Sequence, residues 1–507
     1  MIDATPLLRV YARRRQAMLD REDAAEAQRR QLARLLRRAA DTAFGRAHGF
    51  AKIAGVEDYQ ARVAPRRYED FWRDWWQPRF PVLHGVTWPG TIPFFAASSG
   101  TTTGTTKFIP VSRAMNKSNQ RAVLTMLTHH LAARPASRVL GGGNFMLGGS
   151  TDLVEQAPGI YSGDLSGIAA QTVPPWARGR VFPPREAALI ADWETKIDTL
   201  ARLSLEADIR LLGGTPSWVL LLFEKLTALR PAAPRRAASW YPRLELFVHG
   251  GVNFAPYRAA FDGWFAESAI DRREIYPASE GFVAAADRGE GEGLRVIADN
   301  GIFFEFIPVD EIDAPHPARH WLGTIETGVN YAILVTTCAG LWSYVLGDTV
   351  RFIERAPPRL LVTGRLATML SAFGEHLIGE ELEAGIAAAA RAIDARASDW
   401  TVTALVPEAG GSGRGRHLFV VEFADMTDAD AVARFATALD ADLAARNLDY
   451  AAHRSGGFGL DAPEVRAAAP GTFAQWMKAR GKLGGQNKVP RVIRDEELFA
   501  SLERMIR

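Results

Sequence analysis

Ser98-Ser99-Gly100-Thr101-Thr102-Thr103-Gly104-Thr105-Thr106-Lys107, followed by Phe108-Ile109-Pro110, is the densest chemical signal in the chain. Ten residues hold two Ser, five Thr, two Gly and a Lys. Glycine lets backbone N–H groups approach an anion closely, and the hydroxyls add donors. A lysine supplies a point charge for phosphate. The stretch leads into a predicted strand, Phe108 to Val111, and then a helix from Met115 to Ala133. It is not a Walker loop, because Gly100 and Gly104 are separated by three residues and Lys107 does not follow the second glycine directly. Composition alone leaves a phosphate cradle and a plain Ser/Thr/Gly loop as equal readings.

Outward from this loop, residues 90–350 alternate between short β-rich runs and longer helical ones. Strands are predicted at Arg138 to Leu140, Ile209 to Leu212, Leu244 to His249, Ile302 to Pro308 and Tyr331 to Thr337. Helices are predicted at Trp193 to Ala207, Trp218 to Leu229 and Tyr257 to Phe265. The alternation predicts an α/β domain whose sheets are covered by helices. Before it, residues 8–42 read as one or two amphipathic helices, with Leu32, Leu35 and Leu36 at helical spacing and Arg13-Arg14-Arg15 on a solvated face. The aromatic run Phe71-Trp72 to Trp75-Trp76 is expected to pack on the main body. Past residue 365 the pattern changes to helix Glu380 to Ala395, strands Thr401 to Val406 and His417 to Phe423 around a Gly/Arg-rich loop, and a helix from Asp428 to Arg446. This predicts a small α+β domain.

The 507 residues suit two or three domains, and 47% hydrophobic with 23% charged residues is a globular composition. Sixty Lys and Arg against 58 Asp and Glu leave +2, which argues against a nucleic-acid partner. The single cysteine, Cys338, excludes an internal disulfide and any multi-cysteine metal site, and is read as buried. The longest strongly apolar stretch, Trp218 to Phe223, falls far short of the roughly 20 residues of a membrane span. The start of the chain lacks a signal-peptide core. A cytoplasmic protein without a membrane partner is expected, and the Ala- and Arg-rich usage points to a GC-rich, bacterial genome.

Further motifs follow the loop in order. They are His249-Gly250-Gly251 after a strand, Tyr276-Pro277-Ala278-Ser279-Glu280, Tyr344-Val345-Leu346-Gly347-Asp348, Thr363-Gly364-Arg365, and Gly485-Gln486-Asn487-Lys488-Val489-Pro490-Arg491. Each alone could be turn punctuation or surface charge. Together they resemble the GH3 family of acyl acid amido synthetases, within the wider superfamily of adenylate-forming enzymes. The similarity runs over nearly the whole chain, from Thr42-x-Phe44-Gly45-Arg46 through Phe304-Glu305-Phe306-Ile307-Pro308 to the C-terminal lysine motif.

The resemblance implies a large N-terminal adenylation domain over 1–364, with helix-covered sheets and a barrel-like part, and a small mobile α+β lid over 365–507. It implies ATP and Mg²⁺ as cofactors. Ser98, Ser99, Gly100, Thr101, Thr102 and Lys107 would cradle phosphates. Gly250 and Gly251 would lie flat against adenine, and Tyr276 would stack on it. Ser279 would contact the α-phosphate, and Glu280 would help hold the metal. Asp348 would take the ribose hydroxyls, and Arg365 would approach ribose or phosphate at the hinge. Lys488 would swing in for adenylation. Val345 stands where the family carries arginine. Ala367 and Thr368 stand where a hinge Asp or Lys is usual, so the pivot is open. The implied reaction adenylates a carboxylic acid and passes the acyl group to an amine, usually an amino acid. Thioester formation with CoA and a non-catalytic nucleotide-binding descendant are the rival outcomes. The acyl pocket is expected near Thr125 to His130, Gly159 to Ile168 and Pro216 to Val219. His129 and His130 are read there as helix-surface or pocket-lining residues ahead of an amine base. The oligomeric state stays open, a monomer being one reading.

Overall fold

The computed structural model describes residues 3–99, 106–148, 152–190, 193–251, 254, 257–366, 370, 377–405, 415–425, 428–447, 450, 451, 454, 460–482, 488–493 and 495–506. The predicted alternation becomes one twelve-stranded sheet. From one edge its strands run His320–Trp321, Ile302–Pro308, Asn330–Thr337, Tyr344–Arg355, Pro358–Arg365, Leu294–Val296, Gly281–Ala285, Asp271–Ala278, Leu246–Gly250, Ile209–Gly214, Gly143–Leu147 and Val181–Phe182. The first eight pair antiparallel. From Asp271–Ala278 onward every pairing is parallel. Strand Asp271–Ala278 is therefore the switch between the two halves, and its C-terminal end adjoins Gly250. Open α/β sheets offer their binding crevice at such switch points, outside the carboxyl ends of the strands.

The parallel half is covered on one face by Pro216–Leu229 and Arg258–Trp264, around Phe223, Phe247 and Phe261. On the other face Arg113–Ala133 and Thr5–Leu19 pack over Leu246, Val248 and Phe282. Helix Arg113–Ala133 starts where Ser112 accepts a hydrogen bond from the Met115 N–H, a side-chain cap that fixes the strand-to-helix exit. The Ser/Thr/Gly loop tips a hairpin: strand Phe94–Ser99 pairs antiparallel with Thr106–Val111, with Ser98 opposite Lys107 and Ser99 opposite Thr106. Gly100, Thr101 and Thr102 lie outside the described residues, as do the side chains of Ser98 and Ser99.

The C-terminal unit is a three-stranded sheet, Ala397–Leu405, Arg416–Phe423 and Glu464–Ala468, between two helical layers. Alternation along Arg416–Phe423 explains both layers. Phe419, Val421 and Phe423 face Gly379–Ala392 and Ala429–Arg446, while Leu418 and Val420 face Thr472–Ala479 and Glu496–Ile506. The predicted strand at Arg138 to Leu140 does not form; the strand is Gly143–Leu147. Val139 and Leu140 are drawn into the core under Thr5–Leu19, and a side chain at Gly142 would meet the Asp208 carbonyl at 2.4 Å. The remaining helices and strands fall within a few residues of the expected positions. Residues 8–42 form two helices, Thr5–Leu19 and Ala24–Ala39, and Phe71 and Trp76 are fully buried. Cys338 is buried, as read. No described helix is long and apolar enough to cross a membrane.

Candidate active site

Five motif residues that lie far apart in sequence meet at the C-terminal end of strand Leu246–Gly250. The antiparallel hairpin Tyr344–Arg355/Pro358–Arg365 sets Asp348 and Arg365 directly opposite each other. Arg365 Nε reaches Asp348 Oδ1 at 3.1 Å. From strand Asp271–Ala278, the Tyr276 hydroxyl donates to Asp348 Oδ2 at 2.7 Å. The two contacts differ in strength. A buried hydrogen bond to a charged group contributes about 1.5–3 kcal/mol. The Arg365 side chain is 58% exposed, and solvent-screened pairs of that kind contribute about 0–1 kcal/mol. Tyr276 is therefore the stronger of the two holds on the Asp348 carboxylate. Each carboxylate oxygen keeps a second lone pair, so Asp348 can still accept from a vicinal diol.

Glu280 lies in the turn between Ala278 and Gly281. Its carboxyl is pushed up to about 7 by burial, with Asp348 adding in the same direction, and it accepts a hydrogen bond from the Tyr344 hydroxyl. Burial also raises the Tyr276 and Tyr344 hydroxyls well above the ordinary phenol range, so both remain donors. Ser279 sits half-buried in the same turn.

Glycine is required at two places beneath this cluster. A Cβ on Gly250 would meet the Ile275 carbonyl at 2.2 Å, and Gly251 has φ +77. Lys488, from the C-terminal unit, donates through Nζ to the Gly251 carbonyl at 2.8 Å. Its ammonium is held down to about 8, first by desolvation and then by the charges of Arg365 and Arg491. Gly485, Gln486 and Asn487 lie outside the described residues.

Lys107 is engaged by the short helix Tyr68–Phe71. Its ammonium pairs with Glu69 at 3.2 Å and lies 5.1 Å from the Tyr68 ring centre. Tyr68 in turn accepts a hydrogen bond from the Phe108 N–H at 2.9 Å. The short helix Tyr68–Phe71 thus anchors the Lys107 strand. Val345 pairs through its backbone with Arg66, but the Arg66 guanidinium lies over Phe44 and near Asp74, so it does not stand in for the missing motif arginine.

Two residues were given no role in the sequence reading: Tyr344, which holds Glu280, and Glu69, which holds Lys107. Counting outward from the Ala356-Pro357 turn would have paired Asp348 with Arg365; no comparable signal marks Tyr344 or Glu69. His130 is satisfied on both sides, by Asp271 at 2.7 Å and Ser137 at 2.9 Å, and is structural. His129 is buried and held down to about 4 by desolvation. Thr125 takes a hydrogen bond from Arg15, and Ile168 and Val219 are core residues.

Among the described residues no group of three or more His, Cys, Asp or Glu is placed to hold a metal. Magnesium bound with a nucleotide takes one or two carboxylates and phosphate oxygens. Glu280, a carboxyl raised by burial and only partly offset by the Arg365 charge, fits that mode.

Relatives agree with this architecture. Over 98% of this chain and 96% of the other, the fold matches the AtGH3.15 acyl acid amido synthetase in complex with 2,4-DB, at a TM-score of 0.78 and 18% identity. It also matches 2-hydroxyisobutyryl-CoA ligase in the postadenylation state, at 0.57 and 15%, over 98% of this chain and 92% of that one. The fold is that of the adenylate-forming enzymes. Models of the GH3 family N-terminal, central and C-terminal domains match residues 13–147, 295–365 and 380–497. Together these cover more than half of the chain, which belongs to the GH3 family. Indole-3-acetic acid-amido synthetase GH3.8 of Oryza sativa subsp. indica is 28% identical over 214 residues, 39% of this chain and 34% of that protein. Jasmonoyl--L-amino acid synthetase JAR4 of Nicotiana attenuata is 32% identical over 122 residues, 23% of this chain and 21% of that protein. The chain thus matches about a third or less of the length of these two relatives.

Proposed function

We propose that the protein is an ATP-dependent, AMP-forming ligase that adenylates a carboxylic acid and transfers the acyl group to an amine, an amino acid, to form an amide. The observation that carries this reading is the convergence of Tyr276, Glu280, Asp348, Arg365 and Lys488 beside Gly250 and Gly251. In the first step a carboxylate oxygen bonds to the α-phosphorus and pyrophosphate departs. In the second the amine nitrogen bonds to the acyl carbon, the acyl–oxygen bond to AMP breaks, and the nitrogen gives up a proton. Such chemistry depends on positioning and charge neutralisation. Asp348 would hold the ribose and Gly250, Gly251 and Tyr276 the base. Ser98, Ser99, Gly100, Thr101, Thr102, Ser279 and Lys107 would hold the phosphates. Mg²⁺ at Glu280 would supply positive charge between the phosphates. Lys488 would neutralise charge developing at the α-phosphate.

Residues 1–364 would form the body with both substrate sites, and 365–507 a lid pivoting near Arg365. The Arg365–Asp348 pair, the Arg351–Glu380 pair and the Lys488–Gly251 bond are among the contacts such a rotation would break. The names of the relatives and the 2,4-DB complex support an aryl or indolic acid and an amino acid as substrates. The Ala- and Arg-rich usage supports a bacterial member and the single cysteine a reducing cytoplasm, with small molecules as partners and the oligomeric state open.

The test is pyrophosphate release with ATP over a panel of aryl, indolic and fatty acids, then product analysis with amino acids against CoA. An amide is expected. A thioester without amide would make the protein an acyl-CoA ligase. Nucleotide binding with no exchange for any acid would leave a non-catalytic descendant.

A further inference from the structure

The segment from Arg66 to Phe71 is tied to the start of strand Tyr344–Arg355, which carries Asp348. The Arg66 N–H donates to the Ser343 carbonyl at 3.0 Å, and the Val345 N–H donates to the Arg66 carbonyl at 2.9 Å. Five residues on, the Phe71 ring lies 6.0 Å from the ring of Tyr344, whose hydroxyl holds Glu280. Phe71 is fully buried, so the short helix Tyr68–Phe71 has a fixed place against that strand. Its start is fixed as well, because Asp70 accepts from the Arg67 N–H at 3.1 Å. The Glu69 charge is among those that raise the Tyr344 hydroxyl, which puts Glu69 at the same end of the site.

This helix also grips the Lys107 strand. The Tyr68 hydroxyl takes the Phe108 N–H, the Tyr68 ring lies 5.1 Å from the Lys107 ammonium, and Glu69 pairs with that ammonium at 3.2 Å. Arg66, Arg67 and Arg73 each pair with an aspartate, so among the described residues Lys107 is the cation left to Glu69. The pair is too exposed to add much to folding, with Glu69 54% accessible. What it restricts is a side chain. Lysine is among the residues that lose most rotamer entropy on being fixed, and a lysine fixed beforehand spares a ligand that loss. An ammonium has three donors. Glu69 engages one, which leaves two for phosphate oxygens.

We propose that Glu69 is a positioning residue that holds the Lys107 ammonium in one place, so that the phosphates of ATP meet it already set. The proposal rests on the adenylation reading above. Glu69 touches no substrate in this role and acts only through Lys107, supported by a helix that is itself fixed on Tyr344.

The experiment is calorimetric binding of ATP with Mg²⁺ to the full chain, to Glu69→Ala, Glu69→Gln and Lys107→Ala, and to the double variant Glu69→Ala/Lys107→Ala. Glu69→Ala should raise the Kd by about three- to tenfold. Glu69→Gln, which keeps an acceptor without the charge, should raise it by less. Lys107→Ala should raise it by more, and adding Glu69→Ala to Lys107→Ala should weaken binding no further. The denaturant midpoint of Glu69→Ala should stay at that of the unmodified protein. Tighter ATP binding by Glu69→Ala would make Glu69 a competitor of phosphate for Lys107 and overturns the inference. Equal weakening with and without Lys107 would make its role structural and also overturns it. An unaltered Kd in Glu69→Ala does the same and leaves the adenylation reading standing. Failure of the unmodified protein to bind ATP overturns both.

Discussion

The titration behaviour of the site turns on Glu280 and Lys488, which were moved in opposite senses from their ordinary ranges. Glu280 is raised to about 7, so below that pH it is protonated and offers no negative charge to a cation. Lys488 is lowered to about 8, so above that pH it loses the charge proposed to offset the α-phosphate. The free enzyme should show a bell-shaped kcat/KM for ATP–pyrophosphate exchange, with limbs near these values. Lys488→Arg should remove the alkaline limb. A flat profile between about pH 6 and about pH 9 would count against both assignments. Tyr276 makes a separate prediction. Tyr276→Phe keeps the ring and deletes the hydroxyl that fixes Asp348, so the Kd for ATP should rise by about tenfold, read by calorimetry. Arg365→Ala should cost less, because its pair with Asp348 is exposed.

Among the elements, strand Ile302–Pro308 carries a buried ion pair that supports the site from behind. Glu305 is fully buried and receives Arg319 Nη2 at 2.6 Å, and Arg319 also donates to the Val63 carbonyl and the Ser343 hydroxyl. The pair ties helix Val56–Arg62, this strand and the turn before Tyr344 together. Glu305→Ala leaves the guanidinium without its charge partner and should cost about 3–5 kcal/mol, measured as a drop in denaturant midpoint at unchanged slope. Gly250→Ala should be worse for binding than for folding at large. The new methyl group would press on the Ile275 carbonyl and part the two strands proposed to wall the base. Loss of ATP binding with a far-UV spectrum close to that of the unmodified protein is the expected result. Helices were easier to read than strands. Periodicity located Met115 to Ala133 within two residues, because a helix is decided by its own side-chain spacing. Strands Leu294–Val296 and Gly281–Ala285 are too short to announce themselves and exist because neighbours pair with them.

For the molecule as a whole, Lys488 reports on the relation between the two units. Its bond to Gly251 joins a residue of the C-terminal segment to the Gly250-Gly251 turn, 237 residues away in sequence. If Lys488 serves only adenylation, Lys488→Ala should cripple pyrophosphate exchange while sparing amide formation from a supplied acyl-adenylate. Equal loss of both half-reactions in a folded variant would refute the assigned role.

The sequence by itself determined the family, the two-part organisation and the identity of most candidate site residues. Those facts reside in local strings whose chemistry is fixed by residue type, such as the Ser98–Lys107 loop and the Gly347-Asp348 turn. What only the tertiary structure decided is which of those groups hold one another. Strand register set Arg365 against Asp348 and brought Tyr276 to the same carboxylate. Packing placed Lys107 on Glu69 and gave Glu280 to Tyr344. Hydrogen bonding and desolvation act through space over a few ångströms, and no local string carries the distances on which they depend.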